Sequence, residues 1–178
     1  MEENKTKKYT IGALVSNKSG VLTRITGLFA RRGYNIESLT ACATEDPNLS
    51  RMTIILKGDE YTLYQMIRQM DKLEDVKKIG CANELDCVYR ELLLAKVNAT
   101  AEARTQIALI NDIYKAKVVD LSIDTMILEI TGDPEKLDAY IKIIEPFGIL
   151  EMQRTGVTVL ARGRHTLKDR DCYGDYVN

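Results

Sequence analysis

Between an alternating apolar segment and a segment of helical spacing stand Asn17-Lys18-Ser19-Gly20-Val21-Leu22, a strand-to-helix turn. The start of a helix leaves backbone N–H groups unpaired and carries a partial positive charge, so such a turn is a natural receptor for a carboxylate. Gly20 has no side chain to block a close anion, and Asn17 can both donate and accept hydrogen bonds. Val21 and Leu22 add apolar neighbours, a combination suited to a free amino acid. The same residues also fit a purely structural turn, with Ser19 capping the helix and Gly20 easing the bend. Local chemistry leaves both readings open.

The rest of the sequence offers no catalytic constellation. The single histidine, His165, lies in the basic run Arg162-Gly163-Arg164-His165 and reads as a solvated residue rather than a general base. Glu45 and Asp46 stand beside Pro47, as in a solvated turn. The turn at Asn17 lacks the second glycine and the Lys-Ser/Thr ending of a phosphate-binding loop. Four scattered cysteines, Cys42, Cys81, Cys87 and Cys172, form no Cys-x-x-Cys pair, so we expect reduced thiols and no zinc site. With 25 Lys+Arg against 26 Asp+Glu the formal net charge is -1, which argues against a nucleic-acid partner. The polar start of the chain has no signal-peptide core, and no apolar run approaches bilayer-spanning length. A cytoplasmic protein is expected, with no membrane partner.

The elements that must hold the turn follow from periodicity. Residues 9–16 alternate as a strand, and Val21, Ile25, Leu28 and Phe29 share one helical face that stops at Gly33. Residues 36–42 and 50–56 read as a hairpin, Leu63, Met66, Ile67 and Met70 as a second amphipathic helix, and residues 76–79 as a closing strand. The order is βαββαβ. The second half repeats it: strand 91–97, a helix around Ala103, Ile107, Ile110 and Tyr114, and strands 117–121 and 126–131. A helix then starts at Asp133-Pro134 with Leu137, Ile141 and Ile144 inward, followed by strand 149–153 and an apolar stretch at 157–161.

These orders predict an α+β protein of two ferredoxin-like βαββαβ domains, each a four-stranded antiparallel sheet with both helices on one face. The expected division is 1–80, 81–163 and a polar tail, 164–178. A sheet with one bare face invites a second copy, so at least a homodimer is expected.

Three strings carry a resemblance: residues 17–22, then Arg32-Gly33-Tyr34-Asn35-Ile36-Glu37-Ser38-Leu39, then Leu49-Ser50-Arg51-Met52-Thr53. Together they resemble the acetolactate synthase small-subunit family, whose N-terminal half is an amino-acid-binding ACT domain. Arg154-Thr155-Gly156 is also family-like. The resemblance implies a non-catalytic subunit that binds and activates a larger catalytic subunit and confers feedback inhibition by valine, or by leucine or isoleucine. Thiamine diphosphate, magnesium and flavin (FAD) would then belong to the catalytic partner, with no cofactor on this chain. It implies an effector held between two N-terminal domains, with Asn17, Ser19, Gly20, Val21 and Leu22 of one copy facing Asn35 and Ile36 of the other. In the second half Asn98-Ala99-Thr100-Ala101 stands in place of the first turn and has no glycine, so no second effector site is expected there. The alternatives are a stand-alone ACT-repeat sensor with another target, and an RNA-binding module of the same element order. Residues 50–56 lack the aromatic residues on which bases would stack.

Overall fold

Alternation along the first strand decides which face of its sheet meets the helices. In the computed structural model, which describes residues 7–82 and 86–168, β1 (Lys7–Ser16) buries Ile11, Ala13 and Val15 on one face. Its partner β3 (Leu49–Gly58) pairs antiparallel in unbroken register, Lys7 opposite Gly58 and Ser16 opposite Leu49, and turns Met52, Ile54 and Leu56 to the same side. With β2 (Ile36–Ala43) and β4 (Val76–Cys81) the sheet runs in the order β2-β3-β1-β4. Helices α1 (Val21–Arg32) and α2 (Glu60–Asp71) close the core with the side chains their spacing predicts: Val21, Ile25, Leu28 and Phe29 from one, Leu63, Met66, Ile67 and Met70 from the other.

The second sheet repeats this plan. β5 (Cys87–Asn98), β6 (Lys117–Leu121), β7 (Thr125–Gly132) and β8 (Ile149–Arg154) lie in the order β6-β7-β5-β8, with β9 (Thr158–Ala161) also paired to β5. Helices α3 (Ala101–Tyr114) and α4 (Pro134–Ile144) cover one face. Asp133 caps α4 by accepting from the Lys136 N–H at 2.8 Å, with Pro134 in the first turn as expected. Arg154 at the end of β8 holds Glu91 through Nε at 2.9 Å and Nη2 at 2.6 Å, and reaches Asp138 at 2.5 Å through Nη1. The Glu91 carboxylate also accepts from the Gly156 N–H at 3.2 Å, and its hydrogen bonds to Arg154 raise the guanidinium's pKa. The Arg154-Thr155-Gly156 string therefore closes the edge of this sheet on a buried carboxylate.

Among the described residues, one compact unit comprises 7–82, 86–88 and 158–168, and the other 89–157. Between the two halves β4 runs to Cys81 and β5 starts at Cys87. The chain after β8 returns to the first unit: Arg51, on the face of β3 away from the helices, donates to the Val159 carbonyl at 2.9 Å, and the Arg162 N–H donates to the Asp86 carbonyl at 2.8 Å. Val159 and Leu167 are buried, so the C-terminal segment gives part of the helix-free face a cover from within the chain. Leu167 belongs to the stretch read as a polar tail; residues 169–178, with Cys172, lie outside the described residues.

Periodicity missed the polar centre of the second core. Tyr140, fully buried between α3 and α4, donates to Asn111 Oδ1 at 2.6 Å, and burial pushes its pKa up to about 12, so it stays a neutral donor. Asn111 is 4% exposed and its Nδ2 has no partner among the described residues. Removing the phenol leaves both ends of a buried amide unpaired, which costs about 1–3 kcal/mol. Tyr140→Phe should lower stability by that amount in urea unfolding, and adding Asn111→Leu should restore most of it; a silent Tyr140→Phe would show that the bond contributes nothing net.

Candidate functional site

The passage from β1 to α1 turns on Gly20, whose φ of 82° and ψ of -10° place it in the left-handed region that side-chain-bearing residues resist. Gly20 is the helix N-cap, and no side chain caps α1. Ser19 therefore does not serve as the cap that the structural reading of this turn required. The other α-helices are finished differently: Asp59, Thr100 and Asp133 accept from the N–H groups of Thr62, Ala103 and Lys136, and Glu60, Glu102 and Glu135 add acid to their first turns. α1 has no acidic residue in its first turn, and the Val21 N–H finds only the Lys18 carbonyl at a long 3.4 Å. Its positive end is thus left for solvent or an anion to complete.

The surrounding bonds fix the turn in place. Ser16 N–H donates to the Asp75 carbonyl at 2.8 Å, and Asn17 N–H to the Asn48 carbonyl at 2.7 Å. The Asn17 side chain gives its Nδ2 to the Pro47 carbonyl at 2.9 Å, so part of the donor capacity expected to face a ligand binds the β2–β3 hairpin instead. Val21 is 3% exposed; its side chain belongs to the core and only its backbone faces the turn. Leu22, 47% exposed, carries the apolar surface beside it.

Arg24 was missed by reading the sequence. Its Nη1 lies 3.2 Å from where a Cβ on Gly20 would stand, while Nε and Nη2 bond Asp75 Oδ2 at 2.7 and 2.5 Å. Its position four residues after Gly20, in a helix start without acids, was the available signal. Asp75 thus holds the turn twice, by carbonyl and by carboxylate.

Asn35 and Ile36 lie at the other end of α1. Gly33 ends that helix in a left-handed conformation, with the Tyr34 N–H returning to the Phe29 carbonyl at 3.1 Å. Asn35 is exposed and Ile36 packs against the core. A helix of 12 residues spans about 18 Å, so one chain does not bring Asn35 and Ile36 to the Gly20 turn.

The remaining candidates behave as ordinary surface or core. His165 is exposed, and Asp46 accepts from Asn48 N and Nδ2 at 2.9 and 3.0 Å as a turn residue does. Cys42 is an exposed free thiol; Cys81 and Cys87 are buried. Among the described residues no group of three His, Cys, Asp or Glu side chains could hold a metal ion, and no helix is long and apolar enough to cross a membrane.

A four-stranded antiparallel sheet under two helices, entered through a glycine turn, makes the first unit an ACT-type regulatory domain, and residues 11–78 match the AHAS small subunit-like ACT domain. Residues 90–163 match the family model described as the small subunit of acetolactate synthase. The chain belongs to the acetolactate synthase small-subunit family. It is 44% identical over 160 residues to the acetolactate synthase small subunit of Mycolicibacterium smegmatis, spanning 90% of this chain and 94% of that one. The small subunit of Aquifex aeolicus is 40% identical over 163 residues, 91% of this chain and 85% of that protein. The crystal structure of the Thermotoga maritima acetolactate synthase small subunit superposes with a TM-score of 0.83 at 36% identity, covering 89% of this chain and 99% of the other. A small subunit of this synthase implies a catalytic partner.

Two outcomes follow from the geometry. Gly20→Ala must force a side chain into the left-handed region, at a cost of about 1–2 kcal/mol measurable by thermal or urea unfolding. Cys81, whose thiol pKa burial pushes up to about 11, should resist iodoacetamide at neutral pH while Cys42 is alkylated; peptide mass spectrometry separates the two.

Proposed function

We propose that this chain is the feedback sensor of its synthase: it binds a small branched aliphatic amino acid, valine in the first place, at the Gly20 turn and passes the signal to the catalytic subunit it activates. The observation that carries this reading is the uncapped, acid-free start of α1 on a left-handed glycine. The amides at the start of α1 would take the effector's carboxylate, Asn17 Oδ1 its ammonium, and Leu22 would flank its side chain. Asn35 and Ile36 would complete the site from a second copy, a view supported by their distance from the turn within one chain. A ligand shared by two copies stabilises the paired arrangement by its differential affinity, and a coupling of about 1–3 kcal/mol is enough for strong inhibition. The thiamine diphosphate, magnesium and flavin of the reaction are assigned to the catalytic partner, and the holoenzyme to the cytoplasm.

Calorimetric titration of the chain with valine, leucine and isoleucine should show binding of at least one; silence with all three would sink the sensor. Gly20→Asp adds a carboxylate where the ligand's would lie, and Asp tolerates the left-handed region better than most residues. Effector affinity should fall at least tenfold, and less with Gly20→Asn, which has the same shape without the charge. Mixing the chain with the catalytic subunit of the same genome should raise acetolactate formation, and the effector should reverse that rise.

A further inference from the structure

On the outer surface of the first unit, between the end of α1 and one face of α2, lies a depression of about 140 Å³ lined by Arg32, Tyr34, Tyr61, Gln65 and Gln69. Three of these, Tyr61, Gln65 and Gln69, recur every four residues along α2, so they form one row on that helix. Arg32 closes the opposite wall from the last turn of α1. None of the five side chains has a hydrogen bond or ion pair among the described residues, whereas Arg24, Arg104 and Arg154 are all engaged. Among the described residues no carboxylate lines the depression.

These groups share one preference. A guanidinium with no acid beside it, two primary amides and two phenols all donate hydrogen bonds, and the guanidinium fork matches a carboxylate best. Compensation of the α1 dipole explains a basic residue in the last turn, but not the convergence of the four α2 and post-helix side chains upon it. The volume is well under the roughly 300 Å³ at which small-molecule sites begin, and suits a single side chain. Tyrosine and arginine without lysine is also the composition of protein contact centres.

We propose that this depression receives one acidic side chain, Asp or Glu, presented by the catalytic subunit. The proposal rests on the functional reading above; the depression lies at the opposite end of α1 from the Gly20 turn, and Tyr61, Gln65 and Gln69 of α2 belong to no part of the effector site.

The test is the affinity of the full chain for the catalytic subunit of the same genome, measured by interferometry at low and moderate salt. Arg32→Glu should weaken association at least tenfold and flatten its salt dependence, with Arg32→Lys between the two. Since Arg32 also sits in the last turn of α1, Gln65→Glu serves as the independent variant: it fills the depression with a carboxylate from the solvent side of α2 and should weaken association similarly, with thermal unfolding unchanged. Effector binding by the chain alone should be untouched in Gln65→Glu, whose side chain lies on α2 away from the effector residues. Full affinity of both Glu variants overturns the proposal. So does saturable binding of acetate to the chain that Arg32→Glu abolishes while partner affinity is kept, which would make the depression a small-carboxylate site. Failure of the unsubstituted chain to bind the catalytic subunit at all would instead remove the functional reading, and this proposal with it.

Discussion

The left-handed backbone at Gly20 is the constraint on which the proposed effector site depends. It lets β1 end and α1 begin without a residue whose side chain would cap the new helix, so the N–H groups of the first turn stay open. Such a helix end costs stability that the other α-helices recover through Asp59, Thr100 and Asp133. The turn is held from outside instead. Asp75 takes Ser16 N–H and Arg24, and the β2–β3 hairpin takes both nitrogens of Asn17. The exposed Arg24–Asp75 pair contributes only about 0–1 kcal/mol, so its part is to fix geometry.

The second unit shows the same topology with that opening closed. Thr100 caps α3, and Asn98 lies so near Gly148 that a Cβ on that glycine would stand 2.6 Å from the Asn98 Nδ2. Arg104 from the first turn of α3 donates to the carbonyls of Ala99, Ser122 and Ile123 and so occupies the space over the strand-to-helix turn. One architecture therefore supplies an open turn in the first unit and a satisfied one in the second. The difference lies in the residues at the helix start, not in strand order.

The polar interior of the second unit follows a similar logic of few, well-placed partners. Glu91 is 6% exposed and is accompanied by Arg154 and the Gly156 N–H, because removing a carboxylate from water without partners costs several kcal/mol. Tyr140 and Asn111 share one short bond inside an otherwise apolar cluster. Such pairs confine α4 over α3 more narrowly than aliphatic packing alone, since a hydrogen bond tolerates little displacement.

Residue order alone determined the element sequence, the inward faces of α1 and α2, the Asp133-Pro134 helix start, and the turn at Gly20, because each rests on local periodicity or local backbone preference. Tertiary structure alone decided what those elements meet. Tyr140 falls on the inward face of its helix, but only α3 brings Asn111 against it, and Arg24 meets Asp75 only because the fold joins residues 51 positions apart. The return of the C-terminal segment to Arg51 spans 108 positions, a separation that no periodicity encodes. Local rules carry no information about which distant atoms fill a donor's shell, and it is those partners that set whether a polar residue is buried, engaged or left open to a ligand.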